Sequence, residues 1–500
     1  MSTIRRQSII SSFVVYLGFA LGLLNTYLFA RQGGLTVEQF GLTNTFIAFA
    51  TIMFSIASVG TNSFIAKFFP YYKAHVPDNK NDQLTWAILF ACAGFVLVLI
   101  AGIILKPIVF KVFANSPELP RYYYWVFLFG FGFTLFSVME AYAWQHRKAV
   151  LSNFLKEVLF RFFVTILIVF ATIGVIKGLG LFIRLYSFTY LALALILIFY
   201  FYKKKQLHFT LTKSTVTKKF FKKIVAFASF VWSGNIVMNI ATVFDGIVIA
   251  AVLPNGMASA GVYYLAQNVS GLMQAPQRAI ISSAIGPLSQ AWKDKDYAKL
   301  NRIYHRSSIN QLIFACAMFA LIWLNFDDGI STFHLKPEYA YAKWIFFFIG
   351  MAKIIDMGTG LNGHIIATST LWRFDFFTGL ILMAMTIPMN YFLTKEFYSI
   401  GTAASNLITF SIYNTIRYLF LLKKFKMQPF DLKTLYTIIL AATTFFICFW
   451  LFDTHKGFGW IVLRSSVFTA IFGTGMFLLK LTPDAMPVLI TLKKKLGFNS

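Results

Sequence analysis

The sequence predicts an all-α membrane protein of about fourteen transmembrane helices, and three observations carry that expectation. Apolar stretches of helix-spanning length recur along the chain, and a run of about twenty apolar residues matches the hydrocarbon thickness of a bilayer. Lysine and arginine concentrate in every second connection. Hydrophobic residues make up 58% of the chain and charged residues 13%, against roughly 25% charged residues in an ordinary soluble domain. So little charge cannot cover a surface facing water. The net charge of +27 would otherwise raise nucleic acid as a partner, but the basic residues alternate with spans instead of gathering on one polar domain, and no nucleic acid is expected.

The first six stretches run over 9–30, 43–66, 84–106, 122–144, 157–176 and 182–202. Six more follow over 225–252, 259–290, 309–326, 341–368, 374–393 and 400–422, and two close the chain over 434–452 and 459–480. They are too long and too uniformly apolar for the alternating strands of a barrel. The start, with Arg5 and Arg6 before an apolar run and no small-residue cleavage pattern, reads as a first span and not a removed signal peptide. Lys67, Lys73, Arg147, Lys148, Lys299, Arg302, Lys423, Lys424, Lys493, Lys494 and Lys495 fall on one side of the membrane, few basic residues on the other. That bias predicts both termini in the cytoplasm. Cys92, Cys316 and Cys448 all lie inside spans, which argues against a disulfide or metal framework.

The segment from Lys203 to Lys223 holds eight lysines and no acidic residue. It reads as a topology anchor and hinge, or as a contact for anionic headgroups or a cytoplasmic partner. It divides the chain into a six-helix lobe over 1–202, a basic cytoplasmic linker over 203–224, a second six-helix lobe over 225–422, and two further helices with a cytoplasmic tail over 423–500. Sliding the chain on itself until Asn25 falls on Asp245 also lays Gly41 on Gly261. An even number of spans between the copies makes this a parallel repeat, with a pseudo-twofold axis along the membrane normal.

Residues 244–290 read FDGIVIAAVLPNGMASAGVYYLAQNVSGLMQAPQRAIISSAIGPLSQ, followed by the charged stretch WKDKDYAKLNRIYHRS. An Asp late in one span, a short turn, Gly and then Tyr in the next span, a polar helix interior, a Pro near its end and a Lys-rich linker resemble the Wzx-like oligosaccharide flippases. These form a branch of the multidrug/oligosaccharidyl-lipid/polysaccharide (MOP) exporter superfamily. Arg31 and the turn with Glu38, Phe40, Gly41 and Leu42 resemble that family's first outer loop. The resemblance implies a MOP exporter-like fold in a bacterial cytoplasmic membrane. It also implies translocation of undecaprenyl-pyrophosphate-linked oligosaccharide units from the inner to the outer leaflet, for lipopolysaccharide, O-antigen or other surface polysaccharide, with coupling to an ion gradient. The partners implied are the lipid-linked oligosaccharide, membrane lipids and other polysaccharide-assembly proteins. No cofactor is implied. The rival readings are a cation-coupled drug or metabolite antiporter of the same fold and, from another class, a membrane polysaccharide polymerase or ligase. The outer connections are short and show no nucleophile and base constellation, so no enzyme is expected.

Ionisable groups at mid-membrane depth are costly and usually face an interior cavity. Arg278, among Gln274, Gln277, Ser282 and Ser283, is either a cavity cation for phosphate or the structural partner of an acid such as Asp245. Asp245, two turns after Asn235 and Asn239, is either an ion-coupling or gating group or a satisfied contact. Lys353 and Asp356 share one helical face, where they neutralise one another or offer a second phosphate contact and a coupling acid. Gln274, Asn235 and Asn239 complete the substrate-binding set. Asn362 and His364 add polarity nearby, and no other His stands at metal-ligand spacing. Glu140 is expected at the membrane interface, and Arg161, Arg184, Arg417 and Arg464 are expected to snorkel to headgroups.

Overall fold

Hydrocarbon offers no water to backbone N–H and C=O groups, so a chain of this composition must satisfy them within helices. The computed structural model describes residues 3–484, and their side chains from residue 14 onward except Ala279 and Ser282. The side chains of Arg5, Arg6 and Ser282, and Lys493, Lys494 and Lys495, lie outside the described residues. Among the described residues every regular element is helical.

Residues up to Tyr264 form one unit and those from Leu265 a second. The first holds α1 (Thr3–Ala30), α2 (Val37–Ala57), α3 (Thr61–His75), α4 (Gln83–Val112), α5 (Glu118–Arg121), α6 (Tyr123–Gln145), α7 (Ala149–Asn153), α8 (Phe160–Thr172), α9 (Leu179–Ser187), α10 (Thr189–Lys203) and α11 (Thr215–Val252). A π-helical stretch, Phe154–Leu159, joins α7 to α8. Helix α12 (Gly256–Gly271) begins in the first unit. The second unit contains α13 (Ala275–Lys293), α14 (Tyr297–Thr332), α15 (Ala342–Gly358), α16 (Asn362–Ala367), α17 (Trp372–Phe425), α18 (Leu432–Phe452) and α19 (Phe458–Leu478).

Nine helical segments among the described residues are long and apolar enough to cross a membrane, and Val14–Ala30 is a shorter apolar helix. Interruptions explain why this is fewer than the expected stretches. Stretches 374–393 and 400–422 run together in the 54-residue α17, divided by non-helical dihedrals at Phe397 and Tyr398. The stretch over 157–176 is shared between the π-helical segment and the 13-residue α8. The stretch over 341–368 is split into α15 and the six-residue α16.

The core of the first unit is aromatic. Tyr186 stacks on Phe129 with ring centroids 5.0 Å apart, and Tyr190 meets Phe133 edge-on at 4.8 Å. Large rings bury much area at little entropic cost, and offset or edge contacts suit their quadrupoles.

The lysine-rich segment is fastened to this unit, and the boundary expected at 203–224 falls inside it. Fully buried Asp82, before α4, accepts hydrogen bonds on one carboxylate oxygen from the Trp86 indole (3.1 Å), the Ser214 N–H (3.0 Å) and the Thr217 hydroxyl (2.7 Å). Tyr142 donates to the Gln206 carbonyl at 2.8 Å, and the Thr210 N–H donates to Thr85 at 3.1 Å. Ser214 caps α11, which packs along α2 and α3.

Three of the four arginines expected to reach headgroups are turned inward instead. Arg161 pairs with Glu157, Arg417 with Asp375, and Arg464 with Asp328, both partners of the last pair being buried. Arg464 also donates to the Leu324 and His455 carbonyls, while Asp328 accepts from the Gly457 N–H. This cluster fastens the α18–α19 turn to α14. Only Arg184 is exposed, near the Trp125 ring.

Asp82→Ala leaves three donors without their acceptor, at an expected cost of about 2 kcal/mol. Trypsin should then cut within 203–223 several-fold faster in membranes carrying the variant than in wild-type membranes. Equal cleavage would mean that Asp82 does not hold the segment.

Candidate functional site

In the first unit, α2 and α12 cross with no side chain between their backbones. A Cβ at Gly41 would collide with the Met257 carbonyl oxygen and lie 3.0 Å from the Gly261 nitrogen. A Cβ at Gly261 would collide with the Val37 carbonyl oxygen in the same way. Val37 and Met257 are themselves separated by the same sequence offset as Gly41 and Gly261. The contact is therefore reciprocal: each half of the repeat presents the same two positions to the other, as an isologous interface does. Below this crossing, Thr45 on α2 donates to the Met257 sulfur at 3.6 Å.

Helix α11 lines up the polar residues expected on this side. Asp245 is buried and accepts from the Tyr263 hydroxyl at 2.8 Å. Asn239 donates to the Ser55 hydroxyl at 2.8 Å, while Trp232 donates to the Ser55 carbonyl at 2.7 Å. Asn235 is exposed. Asp245, Asn239 and Tyr263 thus each make a hydrogen bond within the first unit.

The second unit gathers a different set. Gln274 donates to Gln277 at 3.2 Å, and Gln277 donates to one oxygen of Asp356 at 3.1 Å. Asn414 on α17 donates to the other oxygen at 3.2 Å. Its own carbonyl accepts from Thr359 at 3.0 Å and from Asn362 at 2.9 Å. Asp356 therefore meets amides on both oxygens, a geometry that holds a carboxylate with neutral donors. Lys353 lies beside the Phe410 ring at 5.9 Å, and Arg278 is exposed. Close by, Arg417 stacks on Tyr413 at 3.8 Å.

Asn414 is the residue that the sequence reading missed. The available signal was the recurrence of Asn406, Thr409, Tyr413 and Arg417 at three- and four-residue intervals in an apolar helix, with Asn414 next to Tyr413 and three residues before Arg417. Among the described residues no group of three or more His, Cys, Asp or Glu side chains could hold a metal ion.

A family model described as polysaccharide biosynthesis protein matches residues 4–292, more than half of the chain. The chain belongs to the polysaccharide biosynthesis protein family. No curated protein matches it in sequence. Among solved structures it is similar to the lipid II flippase MurJ in an inward closed conformation, with a TM-score of 0.76 at 14% identity, covering 94% of this chain and 98% of that one. It is also similar to an inward-facing multidrug resistance MATE family transporter of the MOP superfamily, with a TM-score of 0.61 at 14% identity over 83% of this chain and 94% of that one. An outward-facing transporter of that family gives 0.54 at 13% identity over 84% and 95%. Identities this low speak for the fold, which is the helical MOP architecture. These relatives are transporters and a flippase, not enzymes. A membrane transporter or flippase is the class that family and fold together support for this polysaccharide biosynthesis protein.

Asn414→Leu removes one donor from Asp356 and the acceptor shared by Thr359 and Asn362. The expected loss is about 1–3 kcal/mol, read as a lower unfolding temperature in detergent. An unchanged transition would remove Asn414 from the network.

Proposed function

We propose that this protein moves undecaprenyl-pyrophosphate-linked oligosaccharide repeat units from the cytoplasmic to the outer leaflet of a bacterial cytoplasmic membrane. The two lobes, with both termini in the cytoplasm, rock about the pseudo-twofold axis in a cycle coupled to an ion gradient. The observation that carries this reading is the reciprocal contact of Gly41 with Met257 and of Gly261 with Val37. A backbone crossing built from matched positions, sealed by glycine and opened by separating α2 from α12, is what an outer gate requires. Interior polar sets also suit a cargo with a charged, hydroxyl-rich head.

In this reading Arg278 and Lys353 hold the pyrophosphate. Gln274, Asn235 and Asn239 bind polar parts of the cargo, and Asp245 and Asp356 gate or couple the cycle. The cargo must shed water to enter, and fixed cations with amide donors replace it.

The deciding experiment is reconstitution with a lipid-linked oligosaccharide and a leaflet-specific probe. Translocation is expected. Failure to move any such lipid, together with efflux of a cationic dye, would turn the assignment to an antiporter.

Two variants test the parts. Arg278→Ala should reduce export at least tenfold while membrane levels stay unchanged, and full export would remove Arg278 from the mechanism. A disulfide formed in the double variant Thr45→Cys, Met257→Cys should arrest export until reductant restores it. Export undisturbed by the crosslink would mean that α2 and α12 do not separate.

A further inference from the structure

The first unit contains a charged cluster that the proposed function does not use. Glu140, expected at the membrane interface, is buried near the end of α6. Its Oε2 accepts from the Lys156 ammonium at 3.2 Å, and its Oε1 is buried with no hydrogen-bond partner. Lys156 and Glu157 both lie in the π-helical stretch, and Glu157 pairs with Arg161 at 3.1 Å. Tyr190 of α10 is buried beside both carboxylates and Arg161. Elsewhere α6 meets Met53 of α2, Asn62 of α3 and Phe95 of α4, and its other titratable contacts include Lys106 of α4 at Tyr124, far along the helix, and His146, which follows the helix end and packs on Tyr142 beside Phe69 of α3. Arg184 of α9 reaches α6 at Trp125, about fifteen residues away. The charges acting on Glu140 are thus Lys156 and Glu157.

Two features set this cluster apart from a fixed structural pair. The Glu140 side chain is 8% exposed, while that of Lys156 is 39% exposed. The acid is enclosed, and its counter-ion stands at the open side. An orphan carboxylate oxygen in such a place costs free energy that a proton on it would relieve. The second feature is the π-helical backbone itself. Helix α1 is pressed against it, since a Cβ at Gly18 would lie 2.8 Å from the Glu157 Cβ and carbonyl oxygen. Asn25 donates to the Arg161 carbonyl at 2.8 Å and accepts from Thr165 at 2.6 Å, fastening α1 to the turn that follows. A π-helical segment is rare and passes to the α register by a one-residue shift, which would re-aim both Lys156 and Glu157.

We infer that Glu140 is a proton-binding site, loaded on Oε1 and read by Lys156 through the π-helical stretch. Proton binding converts the carboxylate to a neutral acid, so Lys156 loses its counter-charge and turns to the exposed side. The charge change then biases the register beneath α1. The site's role as the point where a proton gradient enters the cycle rests on the transporter reading above, and proton binding itself does not.

The test uses the full chain in proteoliposomes, with infrared difference spectra recorded across pH to follow the carboxylic acid C=O band. Glu140→Gln should remove one titrating band. Lys156→Gln, which removes the stabilising cation, should move its midpoint up by about one pH unit, and Glu157→Gln should move it down. An unchanged band in Glu140→Gln, or a midpoint indifferent to Lys156→Gln, overturns the site. In the transport arm, an imposed proton gradient should speed lipid-linked oligosaccharide translocation by wild type and by Glu140→Asp. For Glu140→Gln the ratio of rates with and without the gradient should fall to one. A ratio equal to that of wild type overturns the coupling role. If wild type moves no such lipid, the proposed cargo fails while the infrared titration still decides the site.

Discussion

A charge held at mid-membrane depth costs about 2.5–3.5 kcal/mol even on the lenient insertion scale, and the rest of this structure follows from how that cost is met. Several of these charges meet it by pairing inside a unit, while Asp245 and Asp356 are held by hydroxyl and amide donors. Glu140 meets Lys156 and Glu157 meets Arg161 in the first, while Asp375 meets Arg417 and Asp328 meets Arg464 in the second. Each pair joins or stiffens particular helices, so the charges act as fasteners as much as functional groups. The Asp328 and Arg464 pair shows this plainly. It binds the turn between the two terminal helices to α14, with both partners buried and further carbonyl and N–H contacts completing the set.

The backbone crossing of α2 and α12 obeys a different constraint. Helices with bulky faces cannot bring carbonyls against one another, so a tight crossing needs small residues at the point of contact. The repeat supplies that residue twice, at Gly41 and Gly261, and each glycine faces the position four residues before the other. A Cβ at either glycine would meet a carbonyl oxygen of the other helix, so this crossing tolerates no larger residue at either position.

Much of this was legible in advance. Span-length apolar runs and basic loops predicted the helical membrane class, and the offset that lays Asn25 on Asp245 pointed to glycines that prove to touch. Arginine was misread because nearness to a span end says nothing of which way a side chain turns. Arg161, Arg417 and Arg464 each have an acid within reach, one of them four residues away along the chain and two on distant segments. The second kind of partner is invisible to spacing. Asn414 was missed because an amide in a spanning helix, even beside Asn406 and Thr409, shows no partner until Asp356, Thr359 and Asn362 are brought to it. The π-helical stretch leaves no mark in FLKEVL, since one extra residue per turn alters no hydrophobic period over so short a segment.

The same offset that matches the crossing fails at the polar sets. Advancing Glu140, Lys156, Glu157 and Arg161 by the step from Gly41 to Gly261 reaches Gly360, Phe376, Phe377 and Ile381. Moving Gln277, Asp356 and Asn414 back by the same step reaches Ala57, Phe136 and Ala194. The halves share the geometry of the crossing and divide the chemistry. One carries two opposed ion pairs around an enclosed acid, where a single proton changes the charge balance. The other surrounds its acid with neutral amides that keep their donors at any ordinary pH. A proton can change the charge of the first set whereas the second keeps its donors, so the two sets are chemically unlike even though the crossing between α2 and α12 is built from matched positions.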